Sequence, residues 1–274
     1  MADKVTIPAL QQMKRDGQKI VASVVYDYQM AQVVDRAGVD LVSVGDSVGV
    51  NLWGQSGLLE VTMDQMVLAC QGVRRGIRRA LVSCDFPFGP LQEGTDSAVR
   101  AAIRLVKEGG ADLVKLDGAA DFPDAVRAIV RAGIPVFGQL GITPQTAQRY
   151  GGIGVAGTEL ALQLKDELVR GAQLLEECGA SILDFQNSGP VAGAEVVGAV
   201  SIPVIGGVGG GPWLDGRIRV AWAAAGYMAG ALENDGERYA NVARTLLDAI
   251  TAYAEDVREG RDIKGAPIPP LRPL

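Results

Sequence analysis

The sequence predicts an α/β chain folded as a single (β/α)8 TIM barrel over residues 1–274, with an N-terminal helix and a long C-terminal helix. Three observations predict it. Short apolar, β-branched runs recur, each followed by an amphipathic stretch. The runs are apolar almost throughout, as strands of a parallel sheet covered on both faces should be. About eight such units fit in the chain, the number a closed barrel of this kind needs. A doubly wound open sheet is the alternative arrangement of the same units.

The runs are, in order, KIVASVVY (19–26), DLVSVGD (40–46), ALVSCDF (80–86), DLVKLDG (112–118), PVFGQLG (135–141), SILDFQN (181–187) and PVIGGVG (203–209). The eighth is weaker and is placed near AGYMAGA (225–231). Between the runs lie stretches such as MAQVVDRAG, DSAVRAAIRLVKEGG and LQLKDELVRGAQLLEECGA. Their apolar residues recur at helical spacing, and several end in Gly, which is favoured just past a helix C-terminus. ERYANVARTLLDAITAYAEDVREGRD reads as the long final helix, and the Pro-rich tail after it as an extended arm. No linker or low-complexity segment breaks the chain, so one domain is expected.

Composition narrows the function classes. The net charge is −6 and the pI about 4.9, which gives no basic surface for nucleic acid or an anionic membrane. Cys70, Cys84 and Cys178 are too few and scattered for a disulfide framework or a zinc ribbon. The opening MADKVTIPAL lacks a charged-then-apolar signal layout, so a reducing, cytoplasmic setting is expected. The longest uncharged run, Val196 to Leu214, contains Pro203, Pro212 and a glycine cluster, so it reads as strand and loop. The chain has no histidine. That excludes Ser-His-Asp and Cys-His chemistry and any His-ligated metal. Acid–base work falls to Asp, Glu, Lys, Tyr, Cys or a metal-bound water.

In a barrel of this kind the chemistry gathers at the C-terminal ends of the strands. Those ends carry Tyr26 and Asp27, Asp46 and Ser47, Asp85, Lys115 and Asp117, Gln139, then Asp184 and Gln186. A buried carboxylate is costly unless paired or metal-bound. Asp46, Asp85 and Asp117 stand at successive strand ends, an oxygen set suited to Mg²⁺. The ordinary alternative is that each caps the next helix; for all three together metal is favoured. Lys115 and Asp117 are two apart and share a strand face, so they can pair with each other. Lys115 can also hold a substrate carboxylate or stabilise an enolate. The GGVGGG cluster (206–211) is either a tight turn or a phosphate cradle. Cys84 faces away from Asp85 and reads as packing.

At these strand ends the sequence resembles the ketopantoate hydroxymethyltransferase family, in the wider superfamily of phosphoenolpyruvate mutase and isocitrate lyase. The resemblance rests on VYDYQMA, VGDSVG, VRRG, DFPF, GADLVKLDG, GQLGITPQ and IPVIGGVGGG, in the family's order and near its spacing, from about residue 5 to 260. It implies Mg²⁺ and a 2-oxo acid chelated through its carboxylate and keto oxygens. Asp46 and Asp85 would be metal ligands, and Asp117 stands where the family has a Glu near the metal. Ser47 and Lys115 would hold the substrate, and Tyr26 would line the pocket. The implied reaction forms an enolate that adds to the one-carbon unit of 5,10-methylenetetrahydrofolate. The implied assembly is a homo-oligomer, a decamer of two pentameric rings. The expected partner is a small 2-oxo acid, with no nucleic acid and no membrane.

The resemblance also marks a departure. SILDFQN aligns without a gap on the strand that carries the family's catalytic Glu, and that Glu falls on Gln186. Family histidines fall on Gln139 and near Gln55. The metal end of the site is kept and the proton-moving end replaced. Asp184, on the same strand face about 6.5–7 Å deeper, is one candidate base. Alternatively the substrate needs no side-chain base, or Gln186 and Gln139 read it by hydrogen bonds, or catalysis is lost. Retention of Asp46, Asp85, Lys115 and Tyr26 argues against loss. A divergent transferase of a specialised pathway is the leading expectation; a Mg²⁺-dependent lyase, decarboxylase or mutase and a non-catalytic homologue are the alternatives.

Overall fold

The computed structural model describes residues 3–152, 163–207 and 210–265. The chain packs as two compact units, Met1–Ala221 and Trp222–Leu274.

The first unit is a closed parallel barrel of β1 (Ile20–Val24), β2 (Leu41–Val44), β3 (Leu81–Asp85), β4 (Leu113–Leu116), β5 (Val136–Gly141), β6 (Ile182–Gln186), β7 (Val204–Gly206) and β8 (Gly216–Val220). Each strand pairs with the next, and β8 returns to β1, so the barrel prevails over the open sheet. Seven strands lie where the apolar runs place them. The eighth does not: it is GRIRV at 216–220, and AGYMAGA at 225–231 lies in the second unit without a strand. The reason is its burial pattern. Gly216 and Ile218 face inward while Arg217 and Arg219 are exposed, so this strand alternates and has no continuous apolar run. Gly216 also lies so close to β1 that a Cβ would stand 2.2 Å from the Ile20 carbonyl oxygen.

Helices flank the strands as the pattern requires: α1 (Ile7–Arg15), α2 (Tyr28–Arg36), α3 (Val48–Trp53), α4 (Met63–Gly76), α5 (Thr95–Lys107), α6 (Pro123–Arg131), α7 (Lys165–Glu177) and α8 (Gly189–Ala199). Thr6 caps α1, and Thr62 with Gln65 forms a reciprocal capping box on α4. In the second unit a helix runs from Val242 to Arg258, capped by Asn241, within the stretch read as the final helix. The proline-rich tail from 266 onward and residues 208–209 of the glycine cluster lie outside the described residues. Among the described residues no helix is long and apolar enough to cross a membrane.

The barrel interior is layered. Its lower ring takes Ala22, Leu41, Leu81, Leu113, Phe137, Ile182, Ile205 and Ile218, one from each strand, and Val5 and Leu10 close the floor. Burying each of the larger side chains contributes roughly 1.5–3 kcal/mol. Two residues further along β2 to β6, on the same inward face, stand Ser43, Ser83, Lys115, Gln139 and Asp184, all buried. The core changes from apolar to polar halfway up, and the polar half leads to the strand ends.

Candidate active site

The polar layer and the rim above it carry separate hydrogen-bonded sets: Ser43–Asp85–Lys115–Asp184–Gln186, Asp46–Gln145–Asp117–Thr143 and Ser47–Tyr26–Asn51. Register sets the order across the strands: Asp85 on β3 pairs with Lys115 on β4, Gln139 on β5 with Asp184 on β6, and Gly141 with Gln186. Lys115 Nζ lies 2.8 Å from an Asp184 oxygen and 3.5 Å from Asp85 Oδ2, 5.5 Å above the Phe137 ring. Burial opposes its charge, but Asp184 and Asp85 outweigh burial and carry its pKa above the usual lysine range. Lys115 is therefore a fixed cation. It pairs with Asp184 and Asp85, not with Asp117.

The carboxylates answer to the same burial. Asp46 is pushed up to about 7, first by burial and then by the charge of Asp85, with Gln145 pulling the other way. Asp85 is also raised by burial, against the pull of Lys115 and of the Ser43 hydroxyl that donates to it at 2.9 Å. Asp117 is raised to about 6 by burial although Thr143 and Gln145 both donate to it. None of the three caps a helix; Asp27 does, accepting from the Met30 N–H at the start of α2. Tyr26 and Ser47 hydroxyls stand 2.9 Å apart, and Asn51 Nδ2 donates to Tyr26 at 2.7 Å.

Gln186 Nε2 donates to Asp184 Oδ1 at 2.6 Å. Asp184 is wholly buried, enclosed between Lys115 and Gln186, so it braces both and does not open to the rim. The chain is held tightly here. A Cβ on Gly141, at φ +108°, would stand 2.1 Å from the Gln186 carbonyl oxygen. Asn187 takes φ +51°, a left-handed backbone unusual for a residue other than glycine, and its amide donates to the Ile142 carbonyl at 2.9 Å. Gln139 is buried and makes no side-chain hydrogen bond among the described residues; Gln55 Nε2 donates to Gln65 Oε1 at 3.4 Å.

A family model described as Ketopantoate hydroxymethyltransferase matches residues 4–261. The chain belongs to the ketopantoate hydroxymethyltransferase family. Relatives named 3-methyl-2-oxobutanoate hydroxymethyltransferase include one from Salinibacter ruber, 41% identical over 256 residues covering 93% of this chain and 96% of that protein. Another, from Parabacteroides distasonis, is 39% identical over 255 residues covering 93% and 92%. Solved structures share the fold at low identity. A 2,3-dimethylmalate lyase of the PEP mutase/isocitrate lyase superfamily has a TM-score of 0.62 at 16% identity, covering 96% of this chain and 89% of that one. A phosphonopyruvate hydrolase in complex with oxalate and Mg²⁺ has a TM-score of 0.57 at 12% identity, covering 94% and 88%.

The donor set of this ketopantoate hydroxymethyltransferase family member fits Mg²⁺ in kind. Asp46, Asp85, Asp117 and Asp184 set four buried carboxylates against the single ammonium of Lys115. Asp85 raises the cost of ionising Asp46, and Asp184 that of Asp85, which a bound dication would offset. The expected cage of three carboxylates is not formed: among the described residues no group of three acidic or thiol side chains converges for a metal ion. Asp117 gives both oxygens to Thr143 and Gln145. Mg²⁺ usually takes only one or two carboxylates and fills its shell with water and substrate oxygens, so Asp46 and Asp85 suffice in kind.

Gln145 is the residue that reasoning from sequence missed. It donates from Nε2 to Asp46 at 2.8 Å and to the Phe86 carbonyl at 2.9 Å, and from its backbone N–H to Asp117 at 3.1 Å. The signal was present in GITPQ, where two polar residues flank a proline just after a strand end.

Proposed function

We propose that the chain is a Mg²⁺-dependent transferase that forms a carbon–carbon bond. It moves a hydroxymethyl unit from 5,10-methylenetetrahydrofolate to a 2-oxo acid or related acidic carbon through an enolate. What carries the reading is the meeting of Asp46, Asp85, Lys115 and the Ser47–Tyr26 pair at one end of the barrel, in a chain of this family. When bound, Mg²⁺ supplies Lewis-acid polarisation of the keto oxygen. Asp46 and Asp85 would hold it, and Gln145 keeps Asp46 in place. Asp117 anchors the loop that carries Gln145. Ser47 and Lys115 bind the substrate carboxylate and keto group, with Tyr26 lining the pocket. Lys115 places fixed positive charge where enolate charge develops, in a site shielded from water. Asp184 aims that ammonium, and Gln186 and Gln139 contact the substrate without taking its proton, because an amide is no base. The same reading sets the protein in the cytoplasm as a one-domain homo-oligomer, a decamer, acting on a small acid with no nucleic-acid or membrane partner.

Gln186 at the position of the family's Glu favours one second reading. In a lyase, decarboxylase or mutase, cleavage of the substrate itself delivers the enolate, and no side-chain base is needed. Deuterium exchange separates the two. The protein is incubated with Mg²⁺ and 3-methyl-2-oxobutanoate in D2O, with an EDTA control, and the C3 proton followed by NMR. Metal-dependent exchange, and a hydroxymethylated product once the folate is added, supports the transferase. Absence of both, with CO2 or a second carbonyl product released from β-carboxylated 2-oxo acids, overturns it for the lyase.

A further inference from the structure

Asp184 dictates which face of the Gln186 amide the substrate meets. A carboxylate only accepts, and this one is buried and already paired with Lys115. The Gln186 amide must therefore turn Nε2 toward Asp184, where it donates at 2.6 Å; the opposite flip would set oxygen against oxygen. That leaves Oε1 as the side chain's acceptor, and no donor reaches it among the described residues.

The neighbouring strand carries a second amide with nothing to bind. Gln139 pairs in register with Asp184, is 5% exposed and makes no side-chain hydrogen bond among the described residues. Gln186 is two residues beyond Asp184 on the same strand face, so Gln139 and Gln186 are diagonal neighbours across β5 and β6. Burying an amide unpaired is costly, because it gives up its bonds to water for nothing. An aliphatic branch on the substrate would bury both amides without partners. A second carboxylate there would face Oε1 with the Asp184 charge behind it.

We infer that the substrate of this chain carries a neutral hydrogen-bonding group, a hydroxyl or carboxamide, beside its reacting carbon, donating to Gln186 Oε1 and accepting from Gln139. The inference rests on the reading of the site as one for 2-oxo acids, and it names the class of acid. It makes Gln186 and Gln139 residues that determine specificity, in place of groups that move a proton.

The test is binding, free of turnover. Titration calorimetry in Mg²⁺ compares 3-hydroxypyruvate with 2-oxobutanoate, which differ by a hydroxyl in place of a methyl. The expected result is at least a tenfold preference for the hydroxylated acid. Gln186→Leu should reduce that preference to about twofold or less, and Gln139→Leu should reduce it in part. Equal affinity of the unaltered protein for the two acids overturns the inference and leaves the 2-oxo acid reading standing. A preference that survives both substitutions also overturns it. Failure of both acids to bind overturns both readings.

Discussion

Lys115 Nζ lies 2.8 Å from the carboxylate of Asp184, and both side chains are shut away from solvent. Removing Asp184 leaves the Lys115 ammonium only the longer contact to Asp85 at 3.5 Å, and removing Lys115 leaves the wholly buried Asp184 without its cation. Asp184→Asn should cost about 3–5 kcal/mol in denaturant unfolding, whereas Lys115→Met with Asp184→Leu should recover most of that loss and abolish activity. If the double variant is no more stable than the single ones, the pair contributes net stability and the ledger of desolvation is wrong.

The raised carboxyls set a pH dependence. Asp46 moves from 3.8 to about 7 and Asp117 from 3.8 to about 6, both chiefly by burial. Each holds its proton more tightly folded than unfolded. The stability they contribute is complete below pH 3.8 and is lost as pH rises through about 6 to about 7. The melting temperature of EDTA-treated protein should fall across that interval, Mg²⁺ should oppose the fall, and Asp46→Asn should flatten it. A melting temperature that climbs over the same interval would refute the burial argument.

Gln145 ties Asp46 to the loop after β5, so it should act on the metal without touching it. Gln145→Leu should weaken Mg²⁺ binding about 10–100-fold in calorimetry with a 2-oxo acid present. Asp85→Ala should abolish it with the fold intact by circular dichroism. Full affinity in the Asp85 variant would sink the metal assignment.

Gly141 is fixed twice, by φ +108° and by the Gln186 carbonyl 2.1 Å from where a Cβ would stand. Gly141→Ala should destabilise by about 2 kcal/mol or more and displace Gln186. Thermal unfolding measures the first effect, and loss of substrate affinity the second.

Gln186→Glu would set a second carboxylate beside Asp184. Two carboxyls at hydrogen-bond distance share a proton, and one pKa rises strongly. C3 exchange of 3-methyl-2-oxobutanoate should therefore exceed that of the unaltered protein mainly above neutral pH. No gain at any pH would mean that residue 186 does not face the reacting carbon.

Most of the fold was legible because buried parallel strands announce themselves as apolar runs. β8 escaped because Arg217 and Arg219 interrupt it, leaving only Gly216 and Ile218 buried. The strand-end cluster was legible where a polar residue ends an apolar run, as with Asp46, Asp85 and Lys115, which the structure brings together. Which partner Lys115 takes was not. Spacing along β4 suggested Asp117, but closure of the barrel brings Asp85 and Asp184 from other strands against it. Gln145 stayed hidden for a related reason, since a glutamine in a loop shows no preference until the fold puts two carboxylates within its reach.

The two-tier interior separates tasks that many proteins must reconcile in one place. The apolar ring from Ala22 to Ile218 secures the architecture below, and the buried polar residues Ser43, Ser83, Lys115, Gln139 and Asp184 stand above it. A change of side chain at residue 186 therefore leaves the foundations untouched. Descendants of such a chain can trial new substrates at the rim while inheriting a scaffold that does not have to be reinvented.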